Sequence, residues 1–262
     1  MEREFESDLL GLLATRSGFV ERLLSSPADK PTLEADLDVS RSTVDRAVRD
    51  LETAGLAERR DGRVGLTVVG RLIGEEFRSL VDVVTDAANA KPVLDPLDPD
   101  APLSSTFLDG ASVYPSTAPA PYDQAERIEE RLRRAERLRA FTKVISYEPI
   151  SKLLSERVVA GGMEFEVVYE APILDYLERE RAAERREMFE TGRYRPFGVE
   201  TLPYGMLLID EPEGSSAVIT TYDDTQTFRG MLINEREAAV EWASGLYTDV
   251  REAARDVSDR FQ

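Results

Sequence analysis

Six arginines and several hydroxyl side chains are concentrated in one short stretch, residues 39–67, VSRSTVDRAVRDLETAGLAERRDGRVGLT. Arginine can donate two hydrogen bonds to a phosphate or to the edge of a guanine, and serine and threonine can hydrogen-bond to phosphates and bases alike. Side chains of these types bind double-stranded DNA when a helix places them in the major groove. The stretch therefore predicts a surface that binds a DNA operator.

The first half of the stretch has the pattern of a helix that could present these side chains. Ser40 can cap it, the apolar positions fall at i, i+3, i+4 and i+7 along one face, and Gly55 can end it. The predicted buried face consists of Val44, Ala47, Val48 and Leu51. The side chains on the remaining faces that are predicted to contact DNA are Arg41, Ser42, Thr43, Arg46 and Arg49.

The second half predicts a hairpin with arginines at its tip. Asp61-Gly62 stands between the short runs 56–60 and 63–67, and Asp-Gly is typical of a type I′ turn. The flanking arginines, predicted to contact phosphates or the minor groove, are Arg59, Arg60 and Arg63.

The residues around this stretch complete a winged helix-turn-helix layout. A helix carrying Leu9, Leu10, Leu12 and Leu13 precedes a second helix that Ser17 can cap, and a short helix is predicted over Thr32–Leu37 with Thr32 as its cap. Residues 70–88 are predicted to be helical again. We expect residues 1–90 to form this domain and 91–102, KPVLDPLDPDAP, to be a linker rich in proline and aspartate.

Residues 103–262 alternate apolar runs with charged helical runs, which predicts an α/β domain in two or three layers and an α+β fold for the whole chain. The predicted strands are 104–108, 141–146, 165–169, 205–209, 217–222 and 227–233, with 113–114 as a further candidate. The predicted helices are 122–140, 150–160, 172–190 and 235–257. The charged run 126–139 is predicted as a solvated helix face, with an oligomer interface as the alternative.

A ligand site is predicted beyond the carboxyl ends of the strands, where α/β sheets bind ligands. Polar groups carried on aromatic rings suit a small polar molecule, and ordinary strand-end residues are the alternative interpretation. The candidates are Tyr147, Glu148, Tyr169, Glu170, Asp210 and Tyr222, together with Ser146, Thr220 and Thr221.

The composition excludes several kinds of chemistry. The chain has no cysteine and no histidine, which rules out disulfides, Cys/His zinc sites and imidazole catalysis. Neighbouring carboxylates such as Asp210 and Glu211 are expected by chance among 51 acidic residues. We expect no catalytic residues, no metal and no cofactor. The sequence shows neither a membrane-spanning run nor a signal peptide, so a cytoplasmic protein is expected.

The formal net charge of −18 bears on the DNA hypothesis. Residues 38–65 hold six arginines and six acids, so the whole negative excess lies in the rest of the chain. Only four of the 33 basic residues are lysine. This composition is similar to that of haloarchaeal proteins, whose acidic surfaces keep them soluble in concentrated salt; an acidic mesophilic protein is the alternative. Because counterion release contributes little in high salt, a strongly basic patch is not required.

The stretch from LLGLLATRSGF to RVGLTVVG, residues 9–70, resembles archaeal winged-helix transcriptional regulators of the TrmB-like and methanogenesis-regulator type. The segment YGMLLIDEPEGSSAVITTYDDTQTFRGMLINEREAAVEWASGLYTDV resembles their sensor domain, whose fold is related to phospholipase D. The phospholipase motif requires histidine, so the resemblance implies a binding domain without that activity.

Residues and resemblance together predict a transcriptional regulator. Its expected partners are a DNA operator, a small-molecule effector and a second copy of the chain, because two-fold operators supply the base pairs that one short helix leaves unread. Two alternatives stay open. The winged helix could be a protein-interaction module in a transcription assembly, or the α/β half could be an enzyme.

Overall fold

The structure of the protein is a computed structural model that describes residues 2–117, 120, 122–145 and 147–261. It has two units, and the first consists of helices and a two-stranded hairpin. The units comprise residues 1–84 and 85–262. The elements that begin in the first unit are α1 Glu2–Ser25, α2 Lys30–Leu37, α3 Arg41–Thr53, β1 Ala57–Arg60, β2 Arg63–Leu66 and α4 Val68–Leu94.

The ends of α3 form as the sequence predicts. The Ser40 hydroxyl accepts a hydrogen bond from the Thr43 backbone N–H at 3.3 Å, and Gly55 adopts a φ of +71° just after the helix. The predicted apolar face, Val44, Ala47, Val48 and Leu51, is fully buried. It packs with Leu13, Val20, Leu33 and Leu56 in the core of this unit.

Two details of the N-terminal prediction are wrong. Asp29, not Thr32, caps α2, because the Asp29 carboxylate accepts from the Thr32 N–H at 2.9 Å. Helix α4 runs on to Leu94, so the predicted linker is irregular only beyond that residue.

The two predicted first helices both form within α1, which is kinked between them. Arg16 has non-helical backbone angles there, with φ −114° and ψ 17°.

The predicted hairpin is confirmed. Strands β1 and β2 pair antiparallel, with Arg60 opposite Arg63. Asp61 and Gly62 between them both have positive φ, 51° and 77°, as a type I′ turn requires. This hairpin is the wing of a winged helix-turn-helix.

The second unit is a three-layer α/β domain around one mixed sheet. Its helices are the last part of α4, α5 Ser105–Leu108, α6 Glu126–Arg134, α7 Glu148–Val159, α8 Ala171–Glu180, α9 Ala182–Glu190 and α10 Glu237–Ala253. Its strands are β3 Ser112–Pro115, β4 Arg137–Thr142, β5 Glu164–Glu170, β6 Tyr194–Val199, β7 Gly205–Glu211, β8 Gly214–Tyr222, β9 Phe228–Asn234 and β10 Arg255–Asp256. Short 3₁₀ turns lie at Asp123–Ala125 and Ser258–Phe261.

The strand order is β10-β6-β5-β4-β7-β8-β9-β3. Strands β4, β5 and β6 are parallel, and β7, β8 and β9 form an antiparallel meander. After β4, the strands β5 and β6 are added towards one edge of the sheet, and after β7, the strands β8 and β9 are added towards the other edge. Strands β4 and β7 are neighbours, so a topological switch point lies between them.

Helices cover both faces of the sheet. Successive side chains of a strand point to opposite faces, and here apolar side chains point to both. In β4, Leu138 and Ala140 face the core shared with α6, α7, α8 and α9. Phe141 faces the opposite core, which includes α5, α10 and the end of α4. No helix in the described ranges is long and apolar enough to span a membrane.

Several predicted boundaries in this unit are wrong. Residues 105–108 are a short helix instead of a strand, because the Ser104 hydroxyl caps it by accepting from the Thr106 N–H at 3.1 Å. The predicted helix over 122–140 ends at Arg134, where Ala135 turns to ψ 133°, and β4 begins at Arg137. The sequence does not predict strand β6. The helix predicted over 172–190 is two helices that meet at Arg181, and the helix predicted to run to residue 257 ends at Ala253.

Candidate nucleic-acid interface and ligand cavity

The first candidate site is the outer face of α3 and the tip of the wing. The side chains that the sequence predicts to contact DNA lie there: Arg41, Ser42, Thr43, Arg46, Arg49, Arg59, Arg60 and Arg63. All of them are exposed except Thr43, which is half-buried. The hydroxyls of Ser42 and Thr43 each lie 2.9 Å from the Ser40 hydroxyl. This network fixes the start of α3, the part of a recognition helix that reads bases.

Ion pairs within the unit neutralise most of the acids near this face. Asp45 pairs with Lys30, and Asp50 lies 2.8 Å from Arg16. The hydrogen bond from Lys30 is the main cause that lowers the pKa of Asp45 below its usual value, so this carboxylate stays charged and engaged. The sequence interpretation missed both Lys30 and Arg16, because they lie on other helices.

The wing arginines differ in how firmly they are held. Glu52 binds Arg59 through two contacts, at 2.9 and 3.2 Å, and Glu58 binds Arg60 at 2.7 Å. In contrast, Arg63 has no carboxylate within 4 Å in the described part of the chain, and the same holds for the three arginines of α3. The guanidinium groups free to bind phosphates or bases are Arg41, Arg46, Arg49 and Arg63.

The second candidate site is a cavity of about 90 Å³ inside the α/β unit. It lies between the sheet and helices α6, α7 and α9 and reaches the carboxyl end of β4, where Phe141 pairs with Met206 at the start of β7. This is the switch point between β4 and β7, the place where α/β sheets bind ligands. Most of its lining is apolar, including Ile128, Leu154 and Phe165.

The sequence candidates for ligand binding separate into two groups. Tyr147, Tyr169 and Tyr222 line the cavity, and so does Thr220. Glu148, Glu170 and Asp210 do not line it. Glu148 pairs with Arg181, and Asp210 accepts from the Ser215 hydroxyl at 2.7 Å. Ser146 lies outside the described residues.

Aromatic rings surround the exposed side of the cavity. Tyr122 and Tyr147 stack with ring centroids 4.6 Å apart and are 42% and 40% exposed. Phe228 lies 5.7 Å from Tyr122 and 5.8 Å from Tyr222. Burial raises the pKa of Tyr222, so its hydroxyl is neutral at ordinary pH. The exposed side of the cavity is therefore bordered by aromatic rings in contact with one another.

The polar inner wall of the cavity holds groups that the sequence interpretation missed. Arg185 on α9 is only 4% exposed, and Ser151 on α7 is 2% exposed. The Arg185 Nη2 group donates to the Ser151 hydroxyl at 3.4 Å. A signal for Arg185 exists in the sequence, since it stands three residues before Met188 on the inward face of a helix, where a charged residue is unusual.

Both halves of this chain match known protein families. Residues 5–89 match the family described as the HVO_A0261 N-terminal domain. Residues 121–253 match the family described as the methanogenesis regulatory protein FilR1, middle domain. Among curated proteins, none matches this sequence.

Three solved structures illustrate the likeness in fold. TrmBL2, described as an archaeal chromatin protein with a novel mode of DNA binding, is 12% identical with a TM-score of 0.44, over 95% of this chain and 98% of its own. Nuc, a phospholipase D family member from Salmonella typhimurium, is 12% identical with a TM-score of 0.41, over 56% of this chain and 96% of its own. A phosphatidylserine synthase from Haemophilus influenzae is 11% identical with a TM-score of 0.43, over 75% of this chain and 56% of its own.

These structural likenesses are too distant to carry a conclusion about function, and the family match does not depend on them. The FilR1 middle-domain match spans just over half of the chain and lies within the α/β unit. The resemblance to methanogenesis-regulator-type proteins is thereby confirmed, and the chain belongs to the family of the methanogenesis regulatory protein FilR1.

Proposed function

We propose that this protein is a sequence-specific DNA-binding transcriptional regulator that acts as a homodimer and responds to a small molecule bound in its α/β unit. The observation that carries the proposal is the set of unpaired arginines on α3 and the wing, beside acids that the unit itself neutralises. A face that keeps its arginines free while its acids are engaged suits phosphates and base edges.

The overall negative charge is compatible with this function. A chain of net charge −18 repels DNA at long range, and concentrated salt screens this repulsion. Binding then depends on shape and on direct hydrogen bonds from a preformed helix and wing. The rigid cap of α3 and the type I′ turn of the wing support such preformed contacts.

Selection from sheared genomic DNA tests the DNA function. The full-length protein is incubated with fragments in molar KCl, and the bound fragments are sequenced. We expect a small set of enriched fragments sharing a two-fold motif. A winged helix that binds only proteins would enrich none, and that outcome would overturn the proposal.

An exposed apolar stripe on α4 supports the homodimer. Val69, Leu72, Leu80 and Val84 lie within an arc of about 120° on this helix, and each is more than half exposed. Ile73 lies within the same arc and packs against the core of the first unit, so that core covers only part of the apolar stripe. A second copy of the chain would cover the remainder, and a dimer supplies the two recognition helices that a two-fold operator needs.

Replacing Leu72 and Leu80 together by glutamate should therefore give a monomer, because two buried charges would oppose the association of apolar faces. Light scattering coupled to size-exclusion chromatography measures the mass directly. Arg78→Glu, on the opposite side of the same helix, is the control and should leave a dimer. A wild-type chain that runs as a monomer of 29.3 kDa at micromolar concentration would contradict the assignment.

Binding without catalysis is our proposal for the α/β unit. The absence of histidine supports it, since phospholipase-type transfer needs that side chain. The largely apolar cavity at the switch point supports ligand binding. A ligand that binds one arrangement of the dimer more tightly would shift the population able to bind the operator. Turnover of any compound by the purified full-length protein would refute the non-enzymatic part.

A further inference from the structure

Arg185 is a buried cation whose hydrogen-bonding capacity is largely unused. A guanidinium carries five N–H donors and stays protonated in proteins. The Arg185 contacts within the unit are few: Nη2 donates to the Ser151 hydroxyl at 3.4 Å, and Nη1 lies 3.4 Å from the Met188 sulfur. The guanidinium also interacts with the Tyr194 hydroxyl. The buried Nε–H has no acceptor in the described part of the chain.

No carboxylate compensates this charge directly. Among the described residues, none lies within 4 Å of the Arg185 guanidinium. Glu184 is its neighbour in sequence, but the Glu184 carboxylate binds Arg181 at 3.1 Å. The Tyr194 ring, 5.9 Å from the guanidinium carbon, offers a weak cation–π contact. Burying an unpaired charge is costly, so such a group normally has an anionic partner.

Two hydroxyl groups complete a polar recess around Arg185. The Tyr194 hydroxyl donates to the Tyr169 hydroxyl at 3.1 Å, so the Tyr169 proton is available for another acceptor. Burial raises the pKa of Tyr194 well above its usual value, which keeps that hydroxyl a neutral donor. Ser151 accepts from Arg185 and keeps its own proton to donate. Ser151, Tyr169 and Arg185 all line the cavity.

The rest of the cavity is apolar. Ile128, Leu138, Leu154 and Phe165 line it, and Tyr122 and Tyr147 stack at its exposed side. A volume of about 90 Å³ is of the same order as a cavity that accepts one benzene molecule. A strongly hydrated inorganic anion would leave the apolar surface uncovered, and a neutral hydrocarbon would leave the guanidinium unpaired.

We propose that the α/β cavity binds a small organic carboxylate, with its anionic group on Arg185, Ser151 and Tyr169 and its apolar body among Ile128, Leu154 and Phe165. A carboxylate accepts two parallel hydrogen bonds from a guanidinium, which uses the free Nε–H together with an Nη group. The inference deepens the ligand response proposed above and rests on it only for the regulatory consequence, since binding itself is measured without DNA.

Calorimetric titration of the full-length protein with benzoate and hexanoate, against benzyl alcohol and inorganic phosphate, tests the proposal. We expect one of the two carboxylates to bind at least tenfold more tightly than either control. Arg185→Met keeps a similar volume and removes the charge, and it should weaken carboxylate binding by roughly 10- to 100-fold. It should leave benzyl alcohol binding within about twofold.

Arg185→Lys separates charge from shape: it keeps a cation but loses the paired donors, so intermediate affinity is expected. Thermal melts of both variants check folding. No binding of either carboxylate by the wild type, or equal binding by a folded Arg185→Met variant, would overturn the proposal. Phosphate binding as tight as carboxylate binding would also overturn it.

The same titrations distinguish the inference from the proposed function. If carboxylates bind through Arg185 but leave DNA affinity unchanged, the ligand class stands and the regulatory role fails. If DNA binding is present and no carboxylate binds, the regulator stands and the ligand class fails.

Discussion

Replacing Arg46 and Arg63 together by alanine is expected to weaken operator binding by at least about 100-fold. Arg46 lies on the exposed face of α3, and Arg63 lies at the tip of the wing. A base contact from a recognition helix contributes about 1–3 kcal/mol, and a phosphate contact adds to it. Fluorescence anisotropy with a fragment selected by the wild-type protein, at fixed KCl, measures the change.

The fold should be unaffected by this double substitution. Both side chains are exposed, and neither is in an ion pair in the described part of the chain, so their removal breaks no contact within the unit. Arg133→Ala/Arg134→Ala is the matched control: it also removes two positive charges, from ion pairs with Glu129 and Glu211 in the α/β unit. Its operator affinity should stay within about twofold. An unchanged affinity for the double variant would show that this face does not bind DNA.

Gly70→Ala is expected to destabilise the winged helix by about 3 kcal/mol or more. A Cβ atom at Gly70 would lie 1.8 Å from the Leu56 carbonyl oxygen and 2.7 Å from the Leu56 carbonyl carbon. Both contacts are to backbone, so no side chain can move aside. The start of α4 is also held close to Leu56, because the Thr67 backbone N–H donates to the Leu56 carbonyl oxygen at 2.9 Å.

The effect of Gly70→Ala should be confined to one unit. Trp242 is the single tryptophan and belongs to the second unit. Urea unfolding followed by its fluorescence should therefore be unchanged, while far-ultraviolet circular dichroism shows an earlier transition. Gly11→Ala is the control, because its added Cβ meets nothing within 4 Å, and alanine should stabilise α1 by about 0.5–1 kcal/mol. Coincident circular-dichroism unfolding curves for Gly70→Ala and wild type would contradict the close approach.

The winged helix was predictable because its signals are local. A cap at Ser40, an apolar face from Val44 to Leu51 and an Asp-Gly turn each act within a few residues. The ion pairs that neutralise acids near the outer face of α3 were not predictable to the same degree. The ion pair of Arg16 with Asp50 joins residues 34 positions apart, which no local pattern indicates.

The sheet of the second unit was harder to predict for two physical reasons. The charged helical pattern runs through Leu138, so the start of β4 at Arg137 is hidden until tertiary pairing with β5 and β7 is known. Strand β6 contains Pro196 and Gly198, residues that strands disfavour. It is tolerated because its outer edge pairs only with the two residues of β10.

The ligand cavity shows the same division between local and tertiary information. Tyr147, Tyr169 and Tyr222 were predicted from strand ends, and the fold brings them to one cavity. Glu148, Glu170 and Asp210 satisfy the same rule but do not line it. The helical pattern indicates that Arg185 points inward, but it does not show that Arg185 lacks a carboxylate partner. That depends on where Glu184 and Glu148 point, and both bind Arg181.

The most direct test of the central proposal is a hydroxyl-radical footprint of the full-length protein on its selected DNA fragment. A dimer of winged helices should protect two half-sites whose centres are about 34–36 Å apart, or a multiple of that spacing. The Arg46→Ala/Arg63→Ala variant should lose this protection at the same protein concentration. Uniform cleavage along the fragment with wild-type protein, at a concentration that saturates anisotropy, would contradict the account.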